Sequence, residues 1–265
     1  MATCTVQFFS NALRRFTTFT ALLPNDLPPE MVGDTPHFRR PMKLLFLLHG
    51  YSGCEPDWLY NTPISELAGR YNMAVVLPNG GNDFYLDGPE TGRQYAAFVG
   101  EELPAYVEKL FGLQIAPADT CIGGFSMGGF GALHTALAYP ERFGRVAAFS
   151  AALIQRQVAA MTPETQDPIA NYAYYRHVFG EPAALPESPN TPEYLVKTRV
   201  AAGNPLPRIF FCVGTEDFLY QNNQQFKAFL TEQGVPFRYE EGTGIHDFAF
   251  VRSQLEKALD FLTEA

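Results

Sequence analysis

Residues 121–143 read CIGGFSMGGFGALHTALAYPERF, and five glycines crowd the first eleven positions around Ser126. Glycine is unfavourable inside strands and helices, so this crowding marks a place where side chains do not fit. The inner run, Gly124-Phe125-Ser126-Met127-Gly128, is a G-x-S-x-G. It follows an apolar run and opens a helical pattern. That strand–turn–helix context presents a serine hydroxyl as a nucleophile. The turn is sharp, and the residues two before and two after the serine approach each other closely, so glycine is needed at 124 and 128. Gly129 and Gly131 let the following helix pack against a sheet. The hydroxyl then stands clear beside a helix N-terminus, an end that favours negative charge.

A serine hydroxyl is a weak nucleophile at neutral pH. It needs a base, and the base needs a carboxylate to orient it. On an elbow of this kind the chain order is serine, acid, histidine. Three histidines follow Ser126: His134, His177 and His246. His134 lies within the helix after the elbow and reads as structural. His177, in YYRHVFG, reads as a surface or lid residue. His246, in EEGTGIHDFAF, sits in a glycine loop between a strand and the last helix, and is assigned as the base. For the acid, RIFFCVGTEDFLY offers Glu216 and Asp217. Asp217 is preferred because a loop three residues past Gly214 can turn back over the site; Glu216 is the fallback. Asp247 adjoins the base too closely to orient it and reads as an acid at a helix N-terminus.

Acyl transfer also needs donors for the oxyanion of its tetrahedral intermediate. One is the backbone N–H of Met127, directly after the nucleophile. The other belongs to the loop LLHGYSGCEPDW, whose His-Gly pair at 49–50 fits an oxyanion loop. The N–H of Tyr51 is the first choice and that of Ser52 the second. Ser52 is also expected to touch substrate. His49 precedes the serine in the chain and is read as a brace for this loop. Trp58, the sole tryptophan, lines either the substrate pocket or the core, and is placed among the substrate-binding residues. Cys54 reads as a small apolar filler near the pocket.

The elements that must hold these residues are visible as alternation. KLLFLLHG (43–50), MAVVLPNG (73–80), TCIGGF (120–125), RVAAFS (145–150) and RIFFCVG (208–214) are short apolar runs suited to parallel strands covered on both faces. VPFRYEE (235–241) reads as a strand nearer the sheet edge. Helical stripes fall at 99–111, after Ser126 as far as Pro140, at 221–233 and in the last segment. This rhythm predicts an α/β fold, a mostly parallel central sheet with helices on both faces. Residues 1–42 suggest early antiparallel strands and a proline-rich loop. Residues 153–207 form a long insertion rich in proline and tyrosine, either a lid over the strand ends or a surface excursion. No repeat or linker divides the chain, so a single domain over 1–265 is expected.

Composition narrows the function. The chain has 19 basic and 28 acidic residues, a net charge of −9. That balance argues against nucleic acid or an anionic membrane surface as a partner. No apolar run approaches the ~18–20 residues that span a bilayer. The N-terminal residues lack an apolar stretch with a cleavage site, so no signal peptide is read. Cys4, Cys54, Cys121 and Cys212 are scattered without a CxxC pair, which points away from zinc and towards free thiols in a reducing cytoplasm.

Taken together, LLHGYSGCEPDW, GFSMGGFGALHTALAYPERF, FSAAL, GTEDFLYQNN and GIHDFAFVRSQLEKALDFL resemble the esterase-D-like branch of the α/β hydrolases. The likeness is nearest to bacterial tributyrin-type esterases, and extends to feruloyl esterases, S-formylglutathione hydrolases and mycolyltransferases. It runs from about Asn11 to Leu262 and is weakest at 153–207. The family's catalytic pattern falls on Ser126, Asp217 and His246, with oxyanion donors on Tyr51 and Met127. S-formylglutathione hydrolases usually lack the His-Gly pair found here at 49–50, which counts against that substrate. The cysteine usage places the chain in the cytoplasm, and the resemblance implies a serine carboxylesterase acting on short-chain, acetyl to butyryl, esters. It further implies a small-molecule substrate, no cofactor and no metal, and admits a homo-oligomer. A feruloyl or acetyl-carbohydrate esterase or an S-formylglutathione hydrolase is the alternative, and after these an acyltransferase and a non-catalytic binding protein are the competing readings. The presence of all three triad candidates weighs against the latter.

Overall fold

The computed structural model describes residues 1–33 and 35–264. Eight strands among the described residues form one sheet: β1 (Ala2–Ser10), β2 (Arg15–Leu23), β3 (Lys43–Leu48), β4 (Met73–Pro78), β5 (Thr120–Phe125), β6 (Arg145–Phe149), β7 (Arg208–Gly214) and β8 (Phe237–Gly242). Their order across the sheet is β1-β2-β4-β3-β5-β6-β7-β8. The β1–β2 hairpin joins β4 antiparallel, and every pairing from β4 to β8 is parallel. The sheet is mostly parallel, as the alternation predicts, and the fold is that of the α/β hydrolases, as the resemblance implies.

The apolar runs are unbroken because both faces of these strands are covered. In β3, Leu44, Phe46 and Leu48 enter one core while Leu45 and Leu47 enter the other. In β7, Ile209 and Phe211 go one way and Phe210 and Cys212 the other. Successive strand side chains point to opposite faces, so a two-sided core requires an apolar residue at every position.

Seven helices matter to the site: α1 (Ile64–Arg70), α2 (Leu103–Phe111), α3 (Met127–Ala138), α4 (Tyr172–Phe179), α5 (Pro192–Ala202), α6 (Tyr220–Glu232) and α7 (Phe248–Thr263). Helices α1 and α7 cover one face, through Ile64, Leu67, Val251, Leu255 and Leu259. Helices α2, α3, α5 and α6 pack on the other, through Leu103, Phe130, Val196 and Phe226. The 153–207 segment contains α4, α5 and two shorter helical turns, Gln155–Ala159 and Pro182–Glu187.

His134 is structural. It lies in α3, is 5% exposed, and its ring Nε2–H donates to Pro189 O at 3.0 Å, tying α3 to the insertion. Burial pulls its imidazole down to about 4, so the ring is neutral near pH 7. No helix among the described residues is long and apolar enough to cross a membrane.

Candidate active site

Ser126, Asp217 and His246 lie just beyond the C-terminal ends of β5, β7 and β8. Ligands of open parallel sheets bind at that edge. Ser126 has φ 59° and ψ −117°, a region that L-residues with a side chain rarely adopt. Its backbone is fixed from both sides. Its N–H donates to Phe149 O at 2.9 Å, and its carbonyl accepts from Ala152 N–H at 2.9 Å. The flanking glycines are sterically required. A Cβ on Gly124 would stand 2.2 Å from Gly128 O, and one on Gly128 would stand 2.3 Å from Leu48 O.

The hydroxyl of Ser126 lies 2.9 Å from His246 Nε2, and His246 Nδ1 lies 2.8 Å from Asp217 Oδ2. In the tautomer this chain sets, Nδ1–H donates to the carboxylate and Nε2 accepts the serine proton. The Asp217 side chain is fully buried. Burial alone would push its carboxyl up. Hydrogen bonds from His246 and from the Leu219 N–H at 2.8 Å outweigh that and hold it below the usual carboxylate range. Two rings flank the imidazole, Phe125 with centroids 4.7 Å away and Phe218 at 4.6 Å. The loops carrying acid and base are laced together: Thr215 N–H donates to Gly242 O and Glu216 N–H to Gly244 O. Glu216 itself is exposed. Asp247 accepts the Phe250 N–H at 2.9 Å and caps α7.

Tyr51 and Met127 both line the cleft that holds Ser126. Met127 is the first residue of α3, where a backbone N–H has no intrahelical acceptor. The Ser52 N–H donates to Asn82 Oδ1 at 2.8 Å. The Tyr51 N–H, in contrast, bonds no acceptor among the described residues. Of the two amides weighed in this loop, Tyr51's is therefore the one left free. His49 braces the loop. Its Nδ1–H donates to Gly50 O and its Nε2 accepts the Gly80 N–H, both at 2.8 Å. Burial lowers its basicity, consistent with the neutral ring that this pairing requires.

The cleft has a volume of about 210 Å³. Its walls are largely apolar, with Phe84, Val158, Met161 and Phe218 among them. Tyr174 and Tyr175 of α4 close one side, so the 153–207 segment does wall the site. Besides Ser126 and the tyrosines, the polar residues of the lining are Gln157, Asp167 and Asn222.

Three expectations require correction. Trp58 lines no part of this cleft. It is fully buried under the α7 face of the sheet, packs edge-on against Phe149 and Phe248, and its indole N–H donates to Leu48 O at 3.0 Å. Ser52 is exposed, at φ 62°, and lies outside the cleft lining. Cys54 is exposed too, with Sγ directed to Asp57 Oδ1, so it fills no apolar gap. Conversely, no motif points to Phe84 or Tyr174, while Phe218 and Asn222 fall within GTEDFLYQNN, a stretch that assigns them no role.

Residues 10–262 match the model of a family described as putative esterase. An acetyl esterase of Caldicellulosiruptor saccharolyticus is 36% identical over 264 residues, covering 100% of this chain and 99% of that protein. Among solved structures, the substrate-bound fluorophosphonate-binding serine hydrolase F of Staphylococcus aureus superposes with a TM-score of 0.84 at 26% identity, over 100% of this chain and 99% of that one. An S-formylglutathione hydrolase of Staphylococcus aureus gives 0.82 at 27%, over 99% of each. The chain belongs to this esterase family, and with it to the carboxylic ester hydrolases of the α/β-hydrolase fold.

Proposed function

We propose that the chain is a serine carboxylesterase cleaving short-chain acyl esters, acetyl to butyryl, through Ser126, His246 and Asp217. The reading rests on one observation: an unbroken hydrogen-bonded chain from a buried carboxylate, through an imidazole, to a serine hydroxyl in a small apolar cleft. His246 Nε2 takes the proton of Ser126 as Oγ attacks the ester carbonyl. Asp217 holds the ring in the tautomer that leaves Nε2 free and stabilises the imidazolium. The oxyanion forms against the N–H groups of Tyr51 and Met127 at the N-terminus of α3. His246 then returns the proton to the departing alcohol. Water, deprotonated by the same nitrogen, releases the acid from the acyl-serine. Neither a metal nor a cofactor enters this sequence of steps.

Chain length tests the substrate part. Each methylene buried in a long channel would add about 0.8 kcal/mol of binding, so an extended site rewards longer acyl groups. A cleft of about 210 Å³ does not. With p-nitrophenyl esters, kcat/KM is expected to peak between acetyl and butyryl and to fall at least about tenfold, or about 1.4 kcal/mol, by octanoyl. Equal or rising values through octanoyl would contradict the short-chain assignment. The acetyl esterase relative favours the short end of this range.

A further inference from the structure

Ser52 is a non-glycine residue at φ 62°, in the loop that carries the free Tyr51 amide. Such a conformation stores strain and persists only where neighbours hold it. What holds Ser52 comes from elsewhere in the chain: its N–H is bound at 2.8 Å by the side-chain oxygen of Asn82, in the loop after β4. Asn82 is in turn held by the insertion, because Tyr174 of α4 donates its hydroxyl to the Asn82 backbone carbonyl. The Tyr174 ring also lies edge-on to that of Tyr51, centroids 5.7 Å apart. The two tyrosines share the cleft with Ser126. Two loops and a helix, distant in sequence, are thus linked through Asn82.

We infer that Asn82 is a positioning residue, and that with Tyr174 it links the seating of substrate against the insertion to the alignment of the Tyr51 N–H as an oxyanion donor. This inference rests on the esterase reading above and deepens it. Asn82 need not touch substrate. Its acceptor fixes the Ser52 amide and so the peptide orientation just before it. Losing it leaves the Tyr51 N–H present but loosely aimed, which weakens transition-state binding more than ground-state binding.

The test compares the parent, Asn82→Ala and Tyr174→Phe on p-nitrophenyl butyrate, and measures Ki for an alkylboronic acid, whose serine adduct is tetrahedral and anionic. Asn82 is exposed, so its replacement leaves the core intact; thermal midpoints check this. Removing a whole oxyanion donor costs about 10²–10³-fold in kcat, so a misaimed one is expected to cost about tenfold to a hundredfold in Asn82→Ala. KM should stay within about threefold, and Ki for the boronic acid should rise by the same factor as kcat falls. Tyr174→Phe should move kcat and Ki the same way by a smaller factor. A kcat for Asn82→Ala within about twofold of the parent, or a fall in kcat with no matching rise in Ki, would overturn the inference. An active parent beside a fully active Asn82→Ala overturns this inference alone, whereas an inactive parent overturns the esterase reading with it.

Discussion

Ser126→Ala is expected to lower kcat for ester cleavage by at least about 10⁴-fold, with KM within a few-fold, because in the proposed mechanism it removes the atom that forms the acyl bond. The size follows from the geometry. His246 and Asp217 are aligned on Oγ: Nε2 sits 2.9 Å from Oγ, and the rings of Phe125 and Phe218 pack against the imidazole. Water placed by the remaining groups retains only the contribution of binding and of the oxyanion donors. Folding should be unaffected, since deleting a hydroxyl at the mouth of a cleft leaves the core intact. Steady-state kinetics with p-nitrophenyl butyrate, alongside a thermal melt, checks both statements. Residual activity within about tenfold of the parent would remove Ser126 from the mechanism.

The second large effect is on folding. Gly128→Ala places a methyl 2.3 Å from Leu48 O and 2.6 Å from His49 O. Both are backbone atoms at the end of β3, so no rotamer change relieves the clash. Either the elbow or the oxyanion loop must move. A destabilisation of about 4 kcal/mol or more is expected, which lowers the thermal midpoint by more than about 8 °C in a chain of this size. Gly112→Ala is the contrast. Gly112 has φ 65°, but a Cβ there meets nothing within 4 Å, so only the left-handed backbone penalty of about 1 kcal/mol applies. Calorimetry on the two variants separates crowding from backbone preference. Equal shifts would show that the tight approach of elbow and β3 is unimportant.

How much of this was legible in the sequence depends on the range over which each feature is determined. The convergence of Ser126, Asp217 and His246 could be read because each sits a few residues past a recognisable strand, apolar before the first two and half-exposed before His246, with glycines marking the turn. The local chain carries the signal, and the sheet brings the ends together. Parallel strands reveal themselves in the same way, since burial on two faces removes polar residues from the run. Trp58 could not be placed, because whether an aromatic residue near the oxyanion loop faces the cleft or the opposite core depends on the direction in which the short Asp57–Asn61 helix leaves. Asn82 and Tyr174 were invisible for a related reason. Their hydrogen bond joins positions 92 residues apart, and nothing in either local stretch encodes the partner. Ser52 is exposed and outside the cleft lining, on a left-handed backbone that spacing alone does not reveal.

The central claim is that the Asp217–His246 pair activates one serine and only that one. Intact-mass spectrometry after incubation with a fluorophosphonate, followed by peptide mapping, tests it most directly. The parent is expected to gain a single phosphonyl group on Ser126, His246→Ala to label far more slowly, and Ser126→Ala to gain none. An unlabelled parent, or an adduct that persists on another residue in Ser126→Ala, would contradict it.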